Sequence, residues 1–515
     1  MLHAASLISG LTMLSRLLGL LREQVFAALL GAGMQADAFQ VAFRIPNLLR
    51  DLFAEGALSA AFVPTYAATL HNEGRAGALR LVRRLLSVLC LALAVVILLG
   101  FVATGLLVHA LAPGFALIAG KAPLTEFLTR VMLPFLPLVS FAALAMGMLN
   151  AEERYGAPAL APAMFNVVAI LVGIGLALYG AAPELAVIGW AIGTVLGGLA
   201  QLVVQLPPLF KSGFRPVWEW APRDPGLLRI LALMGPATLG LAAVQLNLFI
   251  TTAFASREPG AVSWLTFAFR ILYLPIGIFG VALGTIATTG LARSAARGDT
   301  AAMAATLVRG LKLLVFLCLP ASLGLIVVGR PIVRLIYEHG RFTAFDTSGT
   351  ATALAYYAVG LVAYTGVKVV APAFYALGRP RVALLGSALA VATNLVVIGA
   401  LDRVIGYRAV ALGTGLGSIV NLAVLLFVFE RSVGGVRGRG LASSVVTMGA
   451  AALAMAAAAF LSAQALETAT GGQGLLGHLV VGLVPVAVGG VTYASFARLL
   501  RIPEMDELLA LVLRR

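Results

Sequence analysis

The most constraining feature of this sequence is a group of eight charged residues within the otherwise apolar stretch 8–64. A lone charge at the centre of a bilayer costs about 2.5–3.5 kcal/mol, so eight uncompensated charges would cost on the order of 20 kcal/mol. That cost exceeds a typical net folding stability of about 5–15 kcal/mol. The charges therefore pair, face a water-filled cavity or lie beyond the hydrocarbon. They are Arg16, Arg22, Glu23, Asp37, Arg44, Arg50, Asp51 and Glu55.

The hydropathy of the whole chain predicts an all-α polytopic membrane protein. Of its 515 residues 61% are hydrophobic and 11% are charged, which is far from the composition of soluble domains. Windows of about 20 apolar residues predict fourteen transmembrane helices. Their expected limits are 5–30, 36–66, 85–110, 124–150, 158–180, 184–206, 228–256, 262–290, 311–329, 348–376, 382–401, 408–430, 441–466 and 476–499.

The distribution of basic residues predicts the orientation of these helices. With the N-terminus in the cytoplasm, 22 of the 36 Lys and Arg residues fall in cytoplasmic segments and 8 fall on the opposite face. This bias predicts a multi-pass protein with both termini in the cytoplasm. The positive net charge is then explained by these loops and by contact with bilayer lipids, so no nucleic-acid partner is expected. The N-terminal apolar run lacks a preceding basic region, and we interpret it as a retained first span.

A short internal repeat predicts the domain organisation. The sequence AFRI occurs at residues 42–45 and again at residues 268–271, in the second predicted span of each six-span block. Two pseudo-symmetric six-helix lobes with the same orientation, followed by two extra C-terminal helices, account for this repeat. The predicted domains are a first lobe at 1–206, a cytoplasmic linker at 207–227, a second lobe at 228–431, and the last two helices with a cytoplasmic tail at 432–515.

The charged side chains of the first two spans form patterns on helical faces. Arg16 and Glu23 share nearly one face of the first span, since each residue advances a helix by about 100°. On the second span a stripe about 40° wide contains Asp37, Arg44, Asp51 and Glu55, with Asn47 beside it. Arg50 points away from the stripe unless Pro46 bends the helix. Two interpretations stay open: internal salt bridges (Arg44 with Asp51 or Glu55, Arg22 with Asp37), or a cavity lined for a large anion.

Arginine in both repeats favours the second interpretation. Arg270 is the one ionisable residue of the eighth predicted span, and snorkelling of its side chain to an interface is the alternative. The guanidinium group stays charged and binds phosphate oxygens in a bidentate manner. We therefore expect Arg16, Arg22, Arg50 and Arg270 to bind an anion in a wet chamber between the two blocks. Lys368, with Tyr364 and Tyr375 nearby in the tenth span, is a further candidate for the cavity.

The sequence contains no pattern typical of an enzyme. It has no metal-ligand spacing, no nucleophile–base arrangement and no nucleotide-binding loop, so we expect neither catalysis nor a bound metal. Cys90 and Cys318 lie in apolar runs and are expected to be reduced packing residues.

Several motifs of the chain closely resemble the MurJ (MviN) family of bacterial lipid II flippases. The resemblance covers nearly the whole chain in order, and its first motif is highly specific. The matching stretches are Ser15–Glu23, Asp37–Phe39, Phe43–Arg50, Glu55–Pro64, Phe269–Arg270 with Pro275, Gly280–Thr285, Gly340–Asp346 and Ala371–Ala376.

This resemblance implies a fold, an activity and a site. The implied fold is that of the MOP exporter superfamily, and the implied activity moves lipid II, an undecaprenyl-diphosphate-linked disaccharide-pentapeptide, across the inner membrane of a bacterium. The last two spans are implied to form a groove for the lipid tail. The family's essential positions carry over to Arg16, Arg22, Asp37, Asn47, Arg50, Glu55 and Arg270; Ser15, Arg44, Asn166 and Lys368 are further cavity candidates.

Two departures from the family bear on ion coupling. Some members have an acid three residues after the arginine of the eighth span, where this chain has Tyr273, and some bind sodium through an aspartate of the seventh span that is absent here. We therefore expect no cofactor and leave sodium coupling open, with the membrane potential as the expected driving force. Peptidoglycan-synthesis proteins are candidate partners. The alternative functions are another exporter of the superfamily, for drugs or other polyprenyl-linked sugars, and a passive channel or scaffold.

Overall fold

A computed structural model describes residues 2–50, 57–436, 438–470 and 474–507 of the chain, and these residues form helices and connections without a β-strand. The predicted all-α class is thereby confirmed. Packing divides the chain into two compact units. Unit 1 comprises the residues up to Val262 together with His339–Phe342, and unit 2 comprises Ser263–Glu338 and the residues from Thr343 onwards.

Unit 1 contains ten helices and a short 3-10 turn at Pro113–Leu117. The longest helix bends at Gly74, whose φ of 69° is one that glycine adopts without strain. In chain order the helices are α1 (Leu2–Leu30), α2 (Met34–Arg50), α3 (Ala57–Val102), α4 (Thr104–Leu111), α5 (Lys121–Met132), α6 (Phe135–Ala151), α7 (Gly156–Leu178), α8 (Pro183–Val203), α9 (Leu206–Lys211) and α10 (Pro225–Ala255).

Close packing rather than water exclusion holds these apolar helices together, because lipid tails are as apolar as their side chains. At Gly173 an added Cβ atom would lie 2.4 Å from the Trp190 ring and 2.6 Å from Val25, so glycine lets α7 approach α8 and α1. Leu227 and Ile230 of α10 are buried in the same cluster as Leu81 of α3. This packing places α10 in unit 1, whereas the predicted lobe boundary at 206–228, which follows the repeat, stays a prediction.

Unit 2 contains the remaining ten helices. Pro275 ends the first of them, and one π-helical turn follows at Ile276–Gly280, as proline disrupts the regular bonding pattern. The helices are α11 (Ala261–Pro275), α12 (Val281–Ala296), α13 (Thr300–Val327), α14 (Gly329–Tyr337), α15 (Ala344–Ala358), α16 (Leu361–Ala376), α17 (Pro380–Ile405), α18 (Arg408–Ser432), α19 (Leu441–Thr470) and α20 (Gly474–Leu499).

The C-terminal helices pack on the rest of unit 2 through small residues. Ala459 and Ala463 of α19 form a buried cluster with Val328 at the end of α13. Outside this cluster Arg334 of α14 binds Glu467 of α19 at 2.9 Å. Alanine on α19 permits close helix contact.

The described residues contain ten helices long and apolar enough to span a membrane, or eleven if the α15–α16 pair, bent by 44°, counts as one span. The three predicted spans outside this count are those at 5–30, 36–66 and 228–256. The spans at 5–30 and 228–256 coincide with α1 and α10, whereas the span at 36–66 covers α2, residues 51–56 outside the described part of the chain, and the start of α3. The helices α1 and α2 carry charged residues of the cluster, and part of α10 lies outside the described side chains. A multi-pass protein is thus established, and the number fourteen stays a prediction.

Candidate functional site

The α1 helix presents Arg22 in a fixed environment within unit 1. The Arg22 guanidinium binds the Glu23 carboxylate at 2.5 Å, and its Cζ lies 5.1 Å from the centroid of the Phe165 ring on α7. A carboxylate on one side and an aromatic face on the other restrict the rotamers of a long side chain and keep it charged. Arg22 pairs with its neighbour Glu23 and Asp37 pairs with Lys121, and the predicted Arg22–Asp37 salt bridge stays a prediction.

About two turns before Arg22, α7 also binds the backbone of α1. The Asn166 side-chain amide donates to the Ser15 carbonyl at 3.1 Å, and an added Cβ atom at Gly19 would lie 3.6 Å from the same amide nitrogen. The adjacent Arg16 side chain is exposed. Asn166 therefore contacts the backbone of α1, and the predicted cavity roles of Ser15 and Asn166 stay predictions.

The most buried charge pair of unit 1 lies at the start of α2. The Asp37 carboxylate accepts from the Lys121 ammonium at 2.7 Å and from the Gly260 backbone N–H at 2.8 Å, and both charged side chains are 0% exposed. The ammonium also lies 4.1 Å from the centroid of the Phe115 ring. The Asp37 carboxylate thus joins α2 to α5 and to residue 260, and its predicted place in the substrate site stays a prediction.

The second half of α2 carries the remaining candidates of the stripe. Arg44 donates to the Thr252 hydroxyl of α10, which gives this arginine a partner within unit 1. Asn47 and Arg50 are half-buried near the end of the helix, which continues through Pro46 to Arg50. Asp51 and Glu55 lie outside the described residues, so their predicted pairing with Arg44 stays a prediction, as does the role of Glu55.

A loop from the second half of the sequence completes unit 1. Arg341 donates to the Leu29 carbonyl at 3.1 Å and to the Ala181 carbonyl at 2.9 Å. The contact with Leu29 and a bond from the Arg341 backbone N–H to the Ala28 carbonyl at 2.8 Å satisfy carbonyl groups at the C-terminal end of α1, where a cation is also favoured by the helix dipole. The contact with Ala181 joins the same side chain to the connection between α7 and α8. At Gly340 (φ +60°) a Cβ atom would lie 2.3 Å from the Ala28 oxygen, so this position requires glycine.

In unit 2, Arg270 lies on α11 in a row of aromatic residues. The ring of its neighbour Phe269 contacts Tyr357 edge-on at 5.4 Å, Tyr364 edge-on at 6.2 Å and Tyr273 at 6.3 Å between centroids. Arg270 itself is half-buried. The sequence of α11 contains no acidic residue, so the positive charge of Arg270 is accompanied on its own helix by rings rather than by a carboxylate.

Lys368 of α16 lies beside the same helix. Its ammonium is 5.6 Å from the centroid of the Tyr273 ring, one turn after Arg270. Added Cβ atoms at Gly280 and Gly284 would lie 3.3 Å from the Lys368 Cδ atom and 3.2 Å from its carbonyl oxygen. Close packing of α12 against α16 thus fixes the stem of this lysine beside the π-helical turn, a type of irregularity that is frequent at functional sites.

Three contributing residues were absent from the sequence-based prediction. Lys121 is one of the eight basic residues predicted to lie on the face opposite the cytoplasm. Neither Phe165 nor Thr252 was predicted to contact a charged residue of the site. The sequence offers one signal: Lys121 is the single Lys or Arg between residues 85 and 129. Among the described residues no group of three His, Cys, Asp or Glu side chains could hold a metal ion.

The fold of this chain is that of the MOP superfamily of membrane transporters. An inward-facing multidrug resistance MATE transporter of that superfamily covers 84% of this chain and 99% of its own, with a TM-score of 0.67 at 16% identity. A solved lipid II flippase MurJ in an inward closed conformation covers 96% of this chain and 99% of its own, with a TM-score of 0.77 at 23% identity.

Sequence comparison assigns the family within this superfamily. The family model for lipid II flippase MurJ matches residues 26–482. The lipid II flippase MurJ of Burkholderia cenocepacia is 36% identical over 444 residues, covering 84% of this chain and 83% of that protein. The probable lipid II flippase MurJ of Vibrio cholerae is 34% identical over 436 residues, covering 82% of each chain. The chain belongs to the lipid II flippase MurJ family, which confirms the family expected from its motifs.

Proposed function

We propose that this protein is a lipid II flippase that moves the undecaprenyl-diphosphate-linked peptidoglycan precursor from the inner to the outer leaflet of the cytoplasmic membrane. The observation that carries this proposal is the match to relatives of that activity over more than four fifths of the chain. Basic side chains on α1, α2 and α11 suit a diphosphate, because guanidinium groups bind phosphate oxygens in a bidentate manner.

The proposed site divides into residues that bind the anion and residues that position them. Arg16, Arg22, Arg50 and Arg270 bind the diphosphate, and Lys368 adds a positive charge. Asn47 and Glu55 contribute to the same cavity.

The positioning residues act on α1 and α2. Glu23 and Phe165 orient Arg22, and Asn166 holds α1 at Ser15. Asp37 fixes α2 through Lys121, and Arg44 fixes it through Thr252. Transport then proceeds by alternating access, in which the headgroup changes leaflet while the lipid tail stays in the membrane.

The proposed topology follows from the sequence. Fourteen spans place both termini in the cytoplasm, in two six-helix lobes (1–206 and 228–431) joined by the linker 207–227, with the last two helices at 432–515. The membrane potential supplies the driving force at about 2.3 kcal/mol per charge per 100 mV. No catalytic step and no bound cofactor are part of the proposal, and coupling to sodium is a separate question for transport measurements. Bilayer lipids and peptidoglycan-synthesis proteins are the proposed further partners.

The competing function is export of a drug or another polyprenyl-linked sugar, which the likeness to a MATE transporter fold favours. The test is growth of flippase-depleted bacteria that express this chain. The unmodified protein restores growth, and Arg22→Ala or Arg270→Ala abolishes the rescue while the protein is still inserted. Arg403→Ala is the control, because it removes an exposed arginine that is not part of the proposed site. This variant restores growth. Failure of the unmodified, inserted protein to restore growth would support the competing function.

A further inference from the structure

The connection between α9 and α10 carries two exposed tryptophans that the proposed transport site does not use. Trp218 and Trp220 are 62% and 51% exposed. Their rings are stacked, with centroids 6.3 Å apart and planes 5° from parallel. Tryptophan is enriched where membrane proteins meet the headgroup region, because its ring is apolar and its N–H group is polar.

The outward orientation of this pair is fixed by bonds to α3. Glu219, between the two tryptophans, accepts from Arg84 Nε at 2.8 Å, and its own N–H donates to the Ser87 hydroxyl at 2.9 Å. Side chains two residues apart in a non-helical, extended segment share one side, and the residue between them points to the other. Binding of Glu219 to α3 therefore presents both rings away from α3.

The charges around the pair favour anionic groups. Both acidic residues of the connection, Glu219 and Asp224, bind the same Arg84 side chain. The other charged residues of this stretch are all basic and exposed: Lys211, Arg215 and Arg223. Arg83 adds a further contact, since it donates to the Arg215 carbonyl at 3.4 Å. The surface thus combines two exposed indole rings with an excess of positive charge.

We propose that residues 211–223 form a membrane anchor that binds anionic phospholipid headgroups. Trp218 and Trp220 lie at headgroup level, and Lys211, Arg215 and Arg223 bind the lipid phosphates. Asp224 also caps α10 by accepting from the Leu227 N–H at 3.1 Å, so the anchor fixes the depth of α3 and of the start of α10. The anchor acts on bulk phospholipid and does not depend on the identity of the transported substrate.

Tryptophan fluorescence tests where the pair lies. The other two tryptophans, Trp190 and Trp264, are 3% and 5% exposed. The fluorescence of the full-length protein minus that of its Trp218→Phe/Trp220→Phe variant is therefore a difference signal that reports on the exposed pair. In nanodiscs, phosphatidylcholine brominated near the headgroup end of its acyl chains should quench this difference signal more than phosphatidylcholine brominated near the chain ends. A difference signal that aqueous iodide quenches and neither brominated lipid quenches would overturn the anchor, and would indicate a site for a soluble partner instead.

Lipid retention tests the charge preference. Native mass spectrometry of protein extracted from mixed phosphatidylglycerol and phosphatidylcholine bilayers should show preferential retention of phosphatidylglycerol. We expect Arg215→Gln/Arg223→Gln to reduce this preference by about fivefold for each arginine. Arg297→Gln, which removes an exposed arginine of another connection, is the matched control and should leave the preference unchanged. Equal preference in the double variant and the unmodified protein would overturn the proposed headgroup site.

Discussion

The two copies of the AFRI repeat place the same arginine in different surroundings. In α2, Arg44 donates to Thr252, and the helix begins with Asp37, whose carboxylate binds Lys121. In α11, Arg270 follows Phe269, whose ring packs among tyrosines, and the helix sequence contains no acid. The first copy therefore uses charge to hold unit 1 together, whereas the second copy lies beside a cluster of aromatic rings, and the proposed function assigns its arginine to the diphosphate. Substitution of Asp37 or Arg44 in α2 should primarily lower stability, and substitution of Arg270 should primarily lower transport.

The largest expected effect on stability is that of the buried Asp37–Lys121 pair. Lys121→Met leaves a carboxylate in a site with no exposed surface, and we expect a loss of about 3–5 kcal/mol in the free energy of unfolding. Reversible unfolding of the purified protein measures this loss. In Asp37→Asn/Lys121→Met both charges are removed while an acceptor for the Gly260 N–H stays, so stability should largely recover. If Lys121→Met were as stable as the unmodified protein, the charges of α2 would not stabilise unit 1. The proposed difference between α2 and α11 would then be wrong.

Arg270 should show the reverse behaviour. We expect Arg270→Ala to weaken lipid II binding by about 2–5 kcal/mol, as truncation of a charged binding partner does, with little change in unfolding. Arg270→Lys should recover part of the affinity, because an ammonium keeps the charge but lacks the bidentate geometry. Isothermal titration with lipid II measures both variants. A strong loss of stability in Arg270→Ala would show that the second copy is structural as well.

The Arg44–Thr252 contact should contribute an intermediate amount. A hydrogen bond to a charged group is worth about 1.5–3 kcal/mol, and Arg44→Met should lower the free energy of unfolding by that amount. The cycle with Thr252→Val and the double variant isolates the contact, since a shared interaction makes the two losses non-additive. Additive losses would mean that Arg44 does not act through Thr252, and would bring its role closer to that of Arg270.

The smallest expected change in the free energy of unfolding is that of the Arg334–Glu467 pair. Glu467 is 48% exposed, and exposed ion pairs contribute less than about 1 kcal/mol. Glu467→Gln should therefore change the unfolding free energy by less than that amount, and high salt should reduce the difference further. An effect as large as that of Lys121→Met would show that burial does not separate the charge pairs of this protein.

The helical architecture could be predicted from the sequence because hydropathy acts locally. Each apolar run of about 20 residues has to satisfy its backbone bonds within itself, so helices appear at the expected places. Hydropathy is a weaker guide to the number of spans at α1 and α2, because these helices contain charges. The cost of such charges in a membrane depends on partners elsewhere in the chain. The repeat predicts that α2 and α11 are equivalent, and this equivalence stays a prediction, while packing places α10 in unit 1.

The pairing of the charges could not be predicted in the same way. Asp37 and Lys121 are 84 residues apart, and no periodicity in either helix connects them. Helical geometry predicts that Asp37 and Arg44 share a face of α2, but the isolated position of Lys121 in an apolar stretch does not identify Asp37 as its partner, and nothing local identifies Thr252 as the partner of Arg44. The adjacent Arg22–Glu23 pair was readable in the sequence, yet an ideal helix separates neighbours by about 100°, which favoured more distant partners.

The most direct test of the central claim is a lipid II titration of four purified proteins: the unmodified chain, Arg22→Ala, Arg270→Ala and the double variant. The claim is that Arg22 of α1 and Arg270 of α11 both bind the diphosphate. It predicts at least about a tenfold loss of affinity for each single variant, because each removes a charged hydrogen-bond donor, and a further loss in the double variant. Wild-type affinity in a folded double variant would contradict it.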